Sequence, residues 1–434
     1  MNNARRDGLY LFILGSLVFA LLGGALESTT AKIDFKMVYY SARCLLQHGD
    51  PYQQSQVMRV YLAEGADAAT ESMRDRQNVT RFVYFPTLFS WSVPFALLPF
   101  GLAHFLWMTL TIAAFILAAF LVWSRAAAFA PLASGALIGW MLANSALPLI
   151  LGNPAGIAIS LCVIGACLLL GERHALAGVV CLALSLVIKP HDAGLVWLFF
   201  LLAGGAYRKR ALQTLVVAVI LCLPAILWVT HVAPHWAAEQ RATILTASAH
   251  GGPDDPGPAS KGAHALGMMV NLQTAVSLLR DDPRFYNPAT YAICGLLLAL
   301  WIAAVLRTRA APANAWLALA SVAALTLLPF YHRQSDTKLL LLTIPACAML
   351  YAEKGMTGRL ALVLTTMGVV LTGEIPWALL VAVINKFQMP TTGVAGKLMT
   401  AVQIFPVPLI LLAIAVFYLW ICWRWGSGRT EASG

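Results

Sequence analysis

Long apolar runs constrain this chain more than any other feature of its sequence, because an α-helix needs roughly 20 apolar residues to cross a bilayer. Of its 434 residues, 60% are hydrophobic and 11% are charged, which is more apolar surface than a soluble globular domain can bury. The sequence therefore predicts an all-α polytopic membrane protein. The runs occupy residues 9–26, 104–123, 132–151, 154–170, 175–188, 193–206, 211–230, 290–306, 313–330, 339–351, 359–382 and 403–423.

Clusters of arginine and lysine between the runs predict the orientation of the helices, since cytoplasmic loops carry an excess of both residues. All the clusters fall on one side if a further apolar run at 83–100 does not cross the membrane. Pro86 and Pro94 also favour an interfacial or re-entrant helix for that run. We therefore expect about twelve spans in the plasma (inner) membrane with both termini in the cytoplasm. The net charge of +10 follows from these clusters and does not indicate nucleic-acid binding.

A single integral membrane domain over residues 1–430 accounts for this pattern. Two long polar loops face outward in the predicted topology, at 27–103 with interfacial helices and at 231–289. The runs at 175–188 and 193–206 are short and could pair as a hairpin that does not reach fully across. Because most other polar residues also fall on the outer side, we expect the chemistry at the extracytoplasmic face.

Asp34 is the first candidate for a catalytic group, since it follows the first apolar run and precedes Tyr39 and Tyr40. A carboxylate beside aromatic neighbours at a membrane surface gains basicity by desolvation, which suits a general base. A solvated loop aspartate is the alternative for this residue taken alone. Asn153, between Gly152 and a proline, is either a helix cap or part of a site.

Titratable side chains gather at the outer ends of two further predicted helices. Lys189 ends one helix ahead of Pro190, where a lysine either extends to the interface or binds an anionic group. Glu374 is the one carboxylate inside a long apolar run, where ionisable residues are usually functional, unless Pro376 marks the end of that span. The two groups comprise Lys189, His191 and Asp192, and then His332, Arg333, Asp336 and Lys338.

Short motifs lie along the first half of the chain. They are Asp34-Phe35, Tyr39-Tyr40, Ala42, Leu46, Gly49, Pro51-Tyr52, Tyr84-Phe85-Pro86, Leu88-Phe89, Leu98-Pro99-Phe100-Gly101, Leu151-Gly152-Asn153, Ile188-Lys189-Pro190 and Tyr207-Arg208-Lys209-Arg210. Through these motifs the chain resembles glycosyltransferase family 87 of the GT-C superfamily of membrane glycosyltransferases, over roughly residues 9–345. Two departures from the family pattern stand out. Asn153 replaces the usual glutamine, so its hydrogen bond would be one methylene short, and Phe85-Pro86 replaces two prolines.

The resemblance implies a GT-C-type bundle of about 12 transmembrane helices with a structured first extracytoplasmic loop. It implies transfer of a hexose, with mannose favoured, from a polyprenyl-phosphate sugar to a lipid or glycan acceptor, with inversion and with Asp34 as general base. The residues expected to bind the donor phosphate or sugar are Lys189, His191, His332, Arg333, Lys338, Asn153, Tyr39 and Tyr40. Because no metal-ligand spacing is present, we expect no metal and no cofactor.

Three other functions remain open from the sequence. A lipid-linked glycan transporter or flippase typically shows inverted repeats and polar groups near the bilayer midplane, and neither is evident here. A glycan polymerase or ligase would use the same face with a diphosphate-linked donor, for which extra outer arginines are expected. A scaffold without enzymatic activity is the last alternative.

Overall fold

The computed structural model describes residues 3–26, 32–64, 72–171, 173–260, 269–308, 312–387, 393–404 and 406–427. These residues form helices and turns, and no strand is present among them. Parts of both predicted outer loops, at 27–31, 65–71 and 261–268, lie outside the described residues.

Eleven helices precede residue 204. They are α1 (Asn3–Leu26), α2 (Ile33–Leu46), α3 (Gln54–Glu64), α4 (Met73–Thr80), α5 (Phe89–Ala96), α6 (Phe100–Ala126), α7 (Pro131–Ala143), α8 (Leu147–Leu151), α9 (Pro154–Gly171), α10 (Ala175–Ile188) and α11 (Pro190–Ala203). A short 3-10 helix at Pro86–Leu88 precedes α5.

The remainder of the chain is also helical. It contains α12 (Gly205–Val232), α13 (Trp236–Ser248), α14 (Leu272–Ser277), α15 (Pro283–Thr308), α16 (Pro312–Thr326), α17 (Ile344–Ala352), α18 (Met356–Leu371), α19 (Glu374–Lys386), α20 (Gly393–Ile404) and α21 (Pro406–Ser427). A 3-10 helix at Gln334–Thr343 leads directly into α17.

Seven helices among the described residues are long and apolar enough to cross a membrane, and α18 with α19 forms an eighth candidate that is bent by 60°. The chain is therefore an all-α polytopic membrane protein, as predicted. The count of about twelve spans is not confirmed and stays a prediction. Three predicted runs form shorter apolar helices, and the run at 339–351 lies in a 3-10 helix and α17 that are almost wholly buried. Surrounding protein can shield such segments from lipid, so that they need not span.

The run at 83–100 does not form one spanning helix, in agreement with the prediction. Its α5 has eight residues, which rise only about 12 Å. The run is anchored on two neighbouring helices, because Thr87 Oγ1 donates to Val187 O over 2.8 Å and Ser90 Oγ donates to Leu221 O over 2.6 Å. It thus forms part of an ordered layer built from the first outer loop.

Small residues bring α1 and α7 into close contact at the start of the bundle. A Cβ atom added to Gly8 would lie 2.2 Å from the carbonyl oxygen of Pro131, so only glycine allows the two backbones to approach this closely. The short α8 continues from α7 and delivers the chain to the turn before α9. That turn contacts the start of α2, which is where the candidate site begins.

Candidate functional site

Asp34 lies in the first turn of α2 and is held by the turn that begins α9. Asn153 Nδ2 donates a hydrogen bond to Asp34 Oδ2 over 2.6 Å. The same side chain caps α9, since Asn153 Oδ1 accepts from the Ala155 N–H over 2.8 Å. Asn153 therefore serves as both cap and site residue. The expectation that its hydrogen bond would be one methylene short is wrong, because the turn itself approaches α2 closely enough.

Gly152 makes this close approach possible. Its φ of +63° lies in the left-handed region, and an added Cβ would lie 2.6 Å from the Cβ of Phe35. The Lys32 N–H donates to Ile150 O over 3.0 Å, so the chains meet on both sides of the contact. The backbone around Gly152 thus determines the distance between Asn153 and Asp34.

Asp34 is partly buried, and its environment combines desolvation with positive charge. Burial raises the pKa of Asp34 above its usual range, while the charge of Arg333 and the hydrogen bond from Asn153 act in the opposite direction. The charge of Lys189 also lowers this pKa, so both cations lie within electrostatic range. The carboxylate is therefore more basic than a solvated aspartate, while Arg333, Asn153 and Lys189 offset part of the cost of its negative charge.

Lys189 caps the C-terminal end of α10 and is 7% exposed. Its Nζ lies 2.5 Å from Asp336 Oδ1 and 3.2 Å from Asp192 Oδ2. Burial opposes the charged ammonium, but the two carboxylates outweigh it and raise the pKa of Lys189. Lys189 is thus a buried, fully charged cation between two carboxylates, and not a lysine that extends to the membrane surface.

Arg333 connects this cation to the second outer loop. Its backbone N–H donates to Asp336 Oδ2 over 2.9 Å, and its guanidinium Nη2 lies 3.2 Å from Asp254 Oδ1. The hydroxyl of Tyr331 accepts from Arg333 Nε. Arg81, from the first outer loop, also approaches Asp254, at 3.6 Å. Both predicted outer loops therefore meet at Asp254, which Arg333 also contacts.

Lys338 takes part in a separate pair. Its Nζ lies 3.2 Å from Glu374 Oε1 and donates to Asn144 O over 3.2 Å. The other oxygen of Glu374 accepts from the Ala146 N–H. Sequence reasoning noted both charged residues but not their pairing. Lys338 therefore pairs with Glu374, whereas Lys189 pairs with Asp192 and Asp336.

Tyr39 and Tyr40 pack into the aromatic core beneath α2. They are 4% and 2% exposed, and Tyr39 Oη donates to Leu98 O over 2.7 Å. Both rings pack on Phe100. Sequence reasoning did not select Tyr84, although it stands in a family-like stretch. Burial first, and then the charge of Asp34, raises the pKa of Tyr84, so its hydroxyl lies within electrostatic range of that carboxylate.

His191, Asp192 and His332 form a group that could hold a metal ion, with ligand atoms within 4.8 Å of one another. His332 Nδ1 lies 3.1 Å from Phe330 O, and a carbonyl can only accept, so the proton is on Nδ1. His332 Nε2 then faces Asp192 Oδ1 at 3.2 Å, where a second proton or a cation is needed between them. Lys189 already contacts the other oxygen of Asp192. His191 and Asp192 are neighbours in α11, whereas His332 is 140 residues further along the chain, which explains why no spacing in the sequence revealed the group.

Comparison with known proteins gives one match. The sequence model of glycosyltransferase family 87 matches residues 82–330, which is more than half of the chain. The match includes Asn153, Lys189 and His191, whereas Asp34 and His332 lie outside it. No curated protein and no solved structure matches the chain.

Proposed function

Since the chain belongs to glycosyltransferase family 87, we propose that it transfers a hexose from a polyprenyl-phosphate sugar to a lipid or glycan acceptor, with Asp34 as the general base. Mannose is the favoured sugar. One observation carries the proposal. A desolvated carboxylate at the start of α2 accepts a hydrogen bond from Asn153 and lies within the field of Arg333 and Lys189. A base and a set of cations are what this transfer requires.

The reaction proceeds as a single displacement. The acceptor hydroxyl gives its proton to Asp34 while its oxygen attacks the anomeric carbon, and the bond from that carbon to the phosphate oxygen breaks. Polyprenyl phosphate leaves with the electron pair, so the configuration inverts. Positive charge near the leaving oxygen stabilises the transition state more than the ground state. Lys189 and Arg333, which both contact Asp336, supply this charge.

The donor phosphate approaches from the side of His191. The His191 side chain is 39% exposed, whereas Asp192 and His332 behind it are fully buried. Burial lowers the pKa of His191 to about 4, so the ring is neutral and can donate one N–H to a phosphate oxygen. A bound phosphate beside Lys189 would share a cation that two carboxylates already hold in position.

The site faces the periplasm or exterior in this proposal, and both termini lie in the cytoplasm of a plasma-membrane protein. The distribution of arginine and lysine between the apolar runs supports this orientation. The donor and the glycolipid or glycan acceptor would then both reach the site from the outer leaflet.

We further propose that transfer needs no metal, because Lys189 and Arg333 already place two cations near Asp34. Activity should persist in excess EDTA. Loss of activity that a divalent ion restores would contradict this proposal and would assign a catalytic ion to the group formed by His191, Asp192 and His332.

The decisive experiment uses the full chain in lipid nanodiscs with radiolabelled polyprenyl-phosphate sugars and a membrane lipid extract. Wild type should transfer one sugar, and Asp34→Asn should not, because the amide keeps the shape of the side chain but cannot take a proton. Asp7→Asn is the matched control, since it removes an exposed carboxylate in α1. Equal transfer by wild type and Asp34→Asn would refute the assignment of the base. In a parallel assay in sealed proteoliposomes, movement of the labelled lipid across the bilayer without transfer would favour a transporter.

A further inference from the structure

A groove between α10 and α12 has no role in the proposed transfer. Its volume is about 810 Å³. Its walls are apolar and include Leu176 and Val180 of α10, and Leu212 and Val216 of α12. All four side chains are strongly exposed, at 73%, 45%, 49% and 58%. In a membrane protein such a surface is in contact with lipid acyl chains.

The groove lies far from the candidate site. Leu176 is in the first turn of α10, and Lys189 directly follows the last turn of the same helix. The 13 steps from Leu176 to Lys189 rise about 20 Å along the helix axis. A sugar donor whose phosphate is bound at Lys189 therefore does not place that phosphate in the groove.

One end of the groove is basic. Arg208 and Lys209 line it there and are both exposed. Arg208 Nε donates to Leu201 O over 3.2 Å, which orients the guanidinium stem at the turn between α11 and α12. No acidic side chain is among the described residues that line the groove. The groove thus combines a positive end with apolar walls, which complements an anionic headgroup attached to an acyl chain.

We propose that this groove binds an anionic glycerophospholipid, with its phosphate at Arg208 and Lys209 and an acyl chain along Leu212 and Val216. Arginine and lysine between transmembrane helices recognise anionic headgroups by charge, and zwitterionic lipids offer no net charge to attract. The bilayer supplies such lipids at high concentration, whereas the sugar donor has its own site about 20 Å away.

The test measures lipid retention by native mass spectrometry on the purified full chain, with phosphatidylglycerol or phosphatidylcholine added. Wild type should retain phosphatidylglycerol preferentially. The double variant Arg208→Gln/Lys209→Gln should bind it about 30-fold more weakly, because each basic residue near a membrane surface is worth about fivefold in binding. Arg5→Gln/Arg6→Gln is the matched control, since it removes the same charge at the exposed start of α1.

A second variant tests the apolar part of the groove. Val216→Trp leaves both cations in place and fills the groove, so it should also lose the lipid. If Arg5→Gln/Arg6→Gln weakens phosphatidylglycerol binding as much as Arg208→Gln/Lys209→Gln does, the effect is one of general surface charge and the proposal is overturned. Equal retention of phosphatidylglycerol and phosphatidylcholine by wild type would also overturn it. Preferential retention of a polyprenyl phosphate would also overturn it. None of these results depends on sugar transfer, so failure here is distinguishable from failure of the proposed function.

Discussion

The contact between Asn153 and Asp34 allows a quantitative test of the general base. Asn153→Ser keeps the cap of α9, because serine and asparagine cap helices about equally well. It removes the amide N–H that donates to Asp34 over 2.6 Å. The substitution therefore isolates one hydrogen bond to the carboxylate. The stability of α9 should stay nearly unchanged.

The magnitude follows from the strength of a hydrogen bond to a charged group, about 1.5–3 kcal/mol. One pKa unit corresponds to about 1.36 kcal/mol, so complete loss would raise the pKa of Asp34 by about 1–2 units. Water can enter this partly buried site and replace part of the bond, which favours a rise of about 1 unit. The sign is upward because the bond stabilises the ionised form. A base acts only when ionised, so the acidic limb of kcat/KM should move to higher pH by the same amount.

The assay records kcat/KM for labelled donor from about pH 5 to 9 in wild type and Asn153→Ser. Asn153→Gln retains an amide donor and is the matched control, whose acidic limb should move less. Thermal unfolding of each variant checks that α9 remains capped. An unchanged acidic limb in Asn153→Ser, at normal stability, would refute the view that this hydrogen bond tunes Asp34. A lower plateau without a shift of the limb would instead indicate a role in positioning.

Three further predictions concern stability around the same site. Gly152→Ala should destabilise the fold by about 1–3 kcal/mol and reduce transfer, because the left-handed φ and the contact with Phe35 both disfavour a Cβ. Chemical denaturation measures the loss of stability, and the transfer assay measures the loss of activity. The raised pKa of Asp34 means that the folded state binds more protons than the unfolded state just above the usual aspartate range, so stability falls as pH rises through the folded pKa. Asp34→Asn should therefore be at least as stable as wild type at neutral pH, although inactive. A lower melting temperature than wild type would contradict this. Lys189→Gln should lower the free energy of unfolding by about 3–5 kcal/mol, because it leaves two buried carboxylates without their cation. A melting temperature equal to that of wild type would show that the ion pairs of Lys189 are not important for stability.

Much of the fold was predictable because hydrophobicity is a local property of the chain. Among the described residues, each predicted apolar run is mostly helical, although several helices are shorter than the run or bent. The run at 83–100 was correctly separated from the spans, since its prolines and the distribution of basic residues both argued against crossing. The count of spans was less predictable and stays a prediction, because α10, α11 and α16 are apolar but shorter than the other candidate spans, and length alone does not decide whether they cross.

The candidate site was predictable only as a set of residue types. Asp34, Lys189 and Arg333 stood out because titratable groups are rare in this chain and gather at helix ends. Tyr39 and Tyr40 show the limit of that reasoning, since both follow Asp34 on α2 but their rings are buried in the aromatic core. Tyr84, from another stretch of the same loop, lies within electrostatic range of Asp34 and was not selected.

The sequence by itself determined the class of the protein, its helical segments and its family, because composition and short motifs express them directly. Only the tertiary structure decided the partners of each charge. Asn153 meets Asp34 across 119 residues, and Lys189 meets Asp336 across 147. Such pairs depend on the rotation and close approach of helices, here set by Gly152, and no local pattern in the sequence records that geometry. Burial then determines how strongly each pair acts, because charges interact more strongly where water is excluded.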